Sequence, residues 1–132
     1  MIETPDSVWE SLRLEASKLC DQEPQMGEFL EQHVLNHCSL SEALVFCLAS
    51  QIQHSSISLD VISQVFLEVL QSEPQILFDS CLDLKAYVDR DAACDKLLMP
   101  LVYFKGFKAL QVQRISHRLW NQGRHFLALF LQ

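Results

Sequence analysis

Glycine and proline are scarce. Three glycines and four prolines in 132 residues leave little material for the tight turns of a loop-rich β fold. No apolar run reaches the ~20 residues that a membrane-spanning helix requires. The opening residues MIETPDS carry neither the basic nor the apolar region of a secretory signal. The five cysteines (Cys20, Cys38, Cys47, Cys81, Cys94) are scattered and include no C-x-x-C pair. A disulfide framework is therefore not expected; reduced thiols in a cytoplasmic protein, most of them small core hydrophobes, are. Acid is missing from one region altogether. All 17 acidic residues precede residue 100, whereas Lys105, Lys108, Arg114, Arg118 and Arg124 follow it.

What remains is ordinary globular material, 49% apolar and 20% charged with a net charge of −7. The length suits one domain with a real core. Proline at the first helical position and short polar caps mark the helix starts. Thr4-Pro5 opens the first helix, with Val8, Leu12, Ala16 and Leu19 as its apolar stripe and Trp9 beside it. Glu23-Pro24 opens a second, with Met26, Phe29, Leu30 and Val34 inward, reaching about Asn36. Ser39-Leu40-Ser41-Glu42 is a capping box before a third, which runs to about Gln53. Ser58 caps a fourth and Glu73-Pro74 starts a fifth.

The stretch from Pro100 to Gly123 has no interior proline and one interior glycine, Gly106. As one helix it would span roughly 34 Å. Leu101, Val112, Ile115 and Leu119 form one stripe. Tyr103, Phe107 and Leu110 fall nearly opposite, with Val102, Ala109 and Trp120 between. A helix apolar on most sides is surrounded by protein. The expected architecture is all-α: a bundle of about six to eight helices around a long, nearly all-round apolar helix at residues 100–122, with Gly106 as its point of bending.

Three features invite a functional reading. His33 and His37 lie four apart with Cys38 adjacent, but no third or fourth ligand is in sight, so cap or surface histidines are expected and no metal. The basic last quarter could track phosphates, yet its bases are interleaved with apolar residues; pairing with the acidic helices is expected, and nucleic acid is not. Phe126, Leu127, Leu129, Phe130 and Leu131 would sit on a short final turn. Such density marks a contact surface, and the expectation is that the polypeptide continues beyond Gln132 or ends against another chain.

The runs Asp91-Ala-Ala-Cys-Asp-Lys, Pro100-Leu-Val-Tyr-Phe-Lys-Gly-Phe-Lys-Ala-Leu-Gln and Arg114-Ile-Ser-His-Arg-Leu-Trp-Asn-Gln-Gly closely resemble the N-terminal helical domain of bacterial serine O-acetyltransferase. That family reads R-D-P-A-x-D-(K/R), then P-L-x-Y-x-K-G-F-H-A-L-Q, then R-I-x-H-x-L-W-N-Q-G. The likeness is strong from about Arg90 onward and looser before it. It implies an enzyme of cysteine biosynthesis that moves acetyl from acetyl-CoA, its co-substrate, to the hydroxyl of L-serine. It further implies that residues 1–132 are one helical domain and that the catalytic histidine lies on a left-handed β-helix not contained in this sequence. No catalytic residue, cofactor or metal is then expected here, and residues 1–132 alone should be inactive. Asp91 matches the family aspartate that helps hold the substrate serine, and Asp95 is assigned to local structure. The resemblance also implies a homo-oligomer, trimers joined into hexamers by the helical domains, and a possible O-acetylserine sulfhydrylase partner through a tail outside this sequence. Ala92 stands where the motif has proline, Lys108 where it has histidine, and Leu97-Leu98-Met99 where it has Tyr-Ser-Thr. The competing reading is a non-enzymatic helical protein-interaction module.

Overall fold

The computed structural model describes residues 4–52 and 54–132. Among them it contains eight α-helices and no strand; the one β-like feature is an isolated bridge between His54 and Ile57. The helices are α1 (Pro5–Gln22), α2 (Gly27–Leu30), α3 (Leu40–Ala49), α4 (Leu59–Ser72), α5 (Gln75–Arg90), α6 (Leu98–Tyr103), α7 (Lys105–Asn121) and α8 (His125–Phe130). A 3-10 turn (Pro24–Met26) precedes α2, and a π-helical turn (Glu31–Leu35) follows it. The all-α expectation holds.

Local chemistry explains the starts. Thr4 Oγ1 accepts from Ser7 N–H and Ser7 Oγ accepts from Thr4 N–H, closing a capping box ahead of Pro5. Ser39 Oγ accepts from the Glu42 N–H at 3.3 Å, as expected, but Glu42 reaches one residue further back, to the Cys38 N–H at 2.8 Å. Ser58 Oγ caps α4 through the Val61 N–H. The third helix ends sooner than expected, at Ala49; Gln53, the expected end, lies outside the described residues, as do residues 1–3 of the opening segment.

The long central helix is where expectation and structure differ. Residues 100–122 form no single rod: α6 stops at Tyr103, Phe104 is extended (φ −88°, ψ 108°), and α7 restarts at Lys105. The break falls at Phe104 rather than Gly106, because the Phe104 ring packs edge-on to Tyr87 of α5 at 5.2 Å between centroids. Gly106 is not what makes the break: a Cβ there would lie 3.6 Å from the Tyr87 hydroxyl, an ordinary van der Waals contact. Nor is the stretch enclosed all round. Leu101, Phe107, Ile115 and Leu119 are buried, but Tyr103, Leu110 and Trp120 are exposed. The most enclosed helix is α3, with seven of its ten residues buried. The physical reason is charge: α3 carries only Glu42, while α7 carries four bases that need water or partners.

Around α3 the core closes with Val8, Leu12 and Ala16 of α1, Phe66 of α4 and Leu84 of α5, none of them measurably exposed. Each such large side chain contributes about 1.5–3 kcal/mol by leaving water.

Candidate functional site

Asp91 terminates α5. Its own N–H still bonds the Tyr87 carbonyl at 3.0 Å, but its backbone is extended (φ −103°, ψ 111°), so the chain leaves the helix there. The Asp91 Oδ1 accepts from the Ala93 N–H at 2.9 Å, and its carbonyl accepts from the Cys94 N–H at 2.9 Å. This Asx turn orients the carboxylate while leaving it in solvent. The far end of the loop is also anchored. Cys94 is buried, and the Glu15 carboxylate of α1 accepts from the N–H groups of Leu97 and Leu98 at 3.1 and 2.9 Å. Glu15 thereby caps α6 from 82 residues away. The Ala92 position therefore keeps a pinned loop without the ring of a proline.

Asp91 opens onto a groove of about 510 Å³ lined by Asp83, Ala86, Tyr87, Arg90, Ala92 and Leu110. Its floor is the seam between α5 and α7. Gln111 is 0% exposed and engaged at both ends of its amide: Oε1 accepts from Ser80 Oγ at 2.8 Å and Arg114 Nη1 at 2.7 Å, and Nε2 donates to Asp83 Oδ2 at 2.8 Å. Arg114 Nη1 also meets Asp83 Oδ2, at 2.6 Å. Asp83 is thus a committed carboxylate, while Asp91 on the same groove has its charge facing water. Sequence reasoning expected Arg114 to pair with an acid, but did not find Asp83, Tyr87 or Gln111. A signal existed: Asp83, Tyr87 and Asp91 follow at i, i+4 and i+8, one face of a helix.

The other candidates resolve differently. His33 Nδ1 faces the Phe29 carbonyl at 2.8 Å and His37 Nε2 the Gln32 carbonyl at 2.7 Å, so each of these nitrogens serves as a donor to backbone. The His33 ring stacks on Phe29 at 3.9 Å, and burial, opposed by that carbonyl bond, lowers its pKa. Among the described residues no three His, Cys, Asp or Glu side chains are grouped to hold a metal. The three arginines of the last quarter face acids: besides Arg114, Arg118 Nε lies 3.7 Å from Glu73 and Arg124 Nη1 3.9 Å from Glu68.

Lys108 stands apart. It is 5% exposed and its Nζ donates to the Val102 carbonyl at 2.7 Å, satisfying an end carbonyl of α6 just before the break. Burial lowers its pKa, and burial pushes the nearby Cys47 thiol up to about 12. At the other end of α7, Phe126 and Leu129 of α8 are 92% and 55% exposed, the apolar surface expected there. No helix among the described residues is long and apolar enough to cross a membrane.

Fold and site together give a helical domain with a solvent-facing carboxylate, Asp91, at the mouth of an open groove. The family pattern described as serine acetyltransferase, N-terminal, matches residues 8–112. Serine acetyltransferase of Escherichia coli (strain K12) is 40% identical over 125 residues, covering 95% of this chain and 46% of the relative. Serine acetyltransferase 4 of Arabidopsis thaliana is 37% identical over 127 residues, covering 96% of this chain and 36% of the relative. The crystal structure of Neisseria gonorrhoeae serine acetyltransferase in complex with serine superposes with a TM-score of 0.90 at 40% identity, covering 95% of this chain and 52% of that one. A serine acetyltransferase solved in complex with CoA gives 0.94 at 36% identity, covering 98% and 55%. The chain belongs to the serine acetyltransferase family and corresponds to its N-terminal helical part. It spans about half the length of the curated bacterial relatives it matches.

Proposed function

We propose that residues 1–132 form the helical domain of a serine O-acetyltransferase, the enzyme that passes acetyl from acetyl-CoA to the hydroxyl of L-serine on the way to cysteine. In this reading the chemistry belongs to a β-helical domain, where a histidine oriented by a carboxylate takes the serine proton during attack on the thioester. The helical domain does two things. It joins copies of the chain, trimers into a hexamer, and it lends Asp91 to the serine site at a subunit boundary. A carboxylate suits that task, because it neutralises the substrate ammonium and accepts its hydrogen bonds. A sulfhydrylase that consumes the product is the partner this reading suggests for the assembled enzyme, in the cytoplasm.

One observation carries the proposal: Asp91, paired with no base among the described residues, sits at the lip of a groove, on a loop pinned at both ends, in a fold that superposes closely on a relative holding serine. The exposed Phe126 and Leu129 support an assembly role.

Two assays test it. Residues 1–132 alone, given L-serine and acetyl-CoA, should release no CoA thiol above background; release would overturn the division of labour. A chimera carrying these residues in place of the helical part of the Escherichia coli enzyme should be active. In that chimera Asp91→Asn keeps the Oδ1 acceptor for Ala93 and removes the charge. The KM for L-serine should rise about tenfold with the KM for acetyl-CoA steady; an unchanged serine KM rejects the role of Asp91.

A further inference from the structure

From the packing of α5 on α7 we infer that Gln111 is a positioning residue for the Asp91 carboxylate, acting with Asp83 through the axis of α5; this rests on the reading of Asp91 as a serine ligand. Three successive levels of α5 meet the α6–α7 arm. At the first, Ser80 and Asp83 are tied to Gln111 at 2.8 Å each, and Arg114 closes the ring through Asp83 at 2.6 Å and Gln111 at 2.7 Å. At the second, the Tyr87 ring meets Phe104 at 5.2 Å between centroids and its hydroxyl lies beside Gly106, 3.6 Å from where a Cβ would stand. At the third, Asp91 leaves the helix with no partner on α7; its bonds are to Ala93 and Cys94 of its own loop.

The carboxylate therefore inherits its position from the two levels beneath it. Asp83 lies eight residues before Asp91, about 12 Å along the axis. A tilt of α5 by a few degrees about the lower clamp moves its end by roughly an ångström, a displacement large enough to spoil a charged hydrogen bond. Gln111 is the right group to hold that angle. Its amide is buried, and both its ends are engaged from α5, so it cannot relax by turning to water. The clamp has a second effect. It pairs the Asp83 carboxylate with the Arg114 guanidinium, so Asp83 does not compete with Asp91 for a ligand ammonium, and Arg114 does not compete with that ammonium for Asp91, in the groove that Asp83 also lines.

The test uses the active chimera and four variants: Gln111→Leu, Asp83→Asn, Asp91→Asn and the double Gln111→Leu/Asp91→Asn. Gln111→Leu should fold, since Ser80 Oγ retains the Ile76 carbonyl and Asp83 retains Arg114; Asp83→Asn serves if it does not. Each clamp variant should raise the KM for L-serine about fivefold, with kcat and the KM for acetyl-CoA within about twofold. The double variant should be no worse than Asp91→Asn alone, because a residue that acts through Asp91 has nothing left to position. If Gln111→Leu and Asp91→Asn multiply, or if the clamp variants shift both KM values and kcat alike, Gln111 is structural only and the inference falls. If Asp91→Asn raises the serine KM while both clamp variants leave it unchanged, the inference falls and the role of Asp91 stands. If Asp91→Asn itself changes nothing, the role of Asp91 falls first and takes this inference with it.

Discussion

The middle of α7 and the segment beyond its C-terminal end treat their side chains in opposite ways. Along the seam with α5, polar groups are buried and saturated: Gln111 makes three bonds, and Asp83, Arg114 and Ser80 complete them. Beyond the far end, α8 turns large apolar groups to water, Phe126 and Leu129 foremost, with Trp120 of α7 stacked on His125 at 4.0 Å. Hydropathy alone would sort these regions the other way round. The difference teaches that burial at these two places follows available partners. Gln111 goes inside with its hydrogen bonds answered, and Phe126 stays outside where no neighbour within these helices covers it.

The comparison can be broken at its most extreme pair of aromatics. Phe107→Ala, at a buried site of α7, should cost about 3–5 kcal/mol in urea unfolding of residues 1–132, or prevent folding; a loss under 1 kcal/mol would show that the seam is loosely packed. Lys108→Met removes the donor from the Val102 carbonyl and should cost about 1–3 kcal/mol, despite relieving a buried amine. Its sign with pH is distinctive. Because burial lowers the Lys108 pKa in the folded state, the unfolded chain binds more protons between that lowered value and 10.5, so this group adds stability as pH rises through the window. Above 9.0 Cys47 works the other way, since its thiol is held to about 12 only when folded. The stability of wild type relative to Lys108→Met should therefore rise as pH climbs toward 10.5; parallel curves would remove Lys108 from the account.

Smaller effects sharpen the same contrast. Ser116→Ala removes the bond from Ser116 Oγ to the Ala128 carbonyl at 2.9 Å, which ties α7 to α8, and should cost about 1 kcal/mol. The smallest change in stability is expected at the surface. Phe126→Ser with Leu129→Ser should alter unfolding by no more than about 0.5 kcal/mol while reducing self-association in light scattering; a large loss of stability would mean that α8 is packed in a way its exposure does not suggest.

Much of the fold was legible in the residues. The helix starts at Thr4, Ser39 and Ser58 were readable because a cap is made between residues three apart. The inward stripe of α1 was readable from its spacing. Asp91 was found through a motif, and the structure gives it a groove. Asp83, Tyr87 and Gln111 were not found, because their partners lie on other elements; the spacing of Asp83, Tyr87 and Asp91 marks a shared helix face but not what meets it. The break at Phe104 was misplaced to Gly106 for the same reason: the cause is a ring on α5, not the conformational freedom of the nearest glycine.

By itself the sequence determined that this chain is helical, where most helices begin, and which family it belongs to, since those depend on neighbours within a turn or on the order of residues. Only the tertiary structure decided which helix is enclosed, where the 100–122 stretch divides, and that Asp83 is spent on Gln111 and Arg114 while Asp91 is left to the solvent. The last of these turns on contacts between residues 28 to 31 apart, where the energy of a hydrogen bond depends on geometry that packing alone supplies.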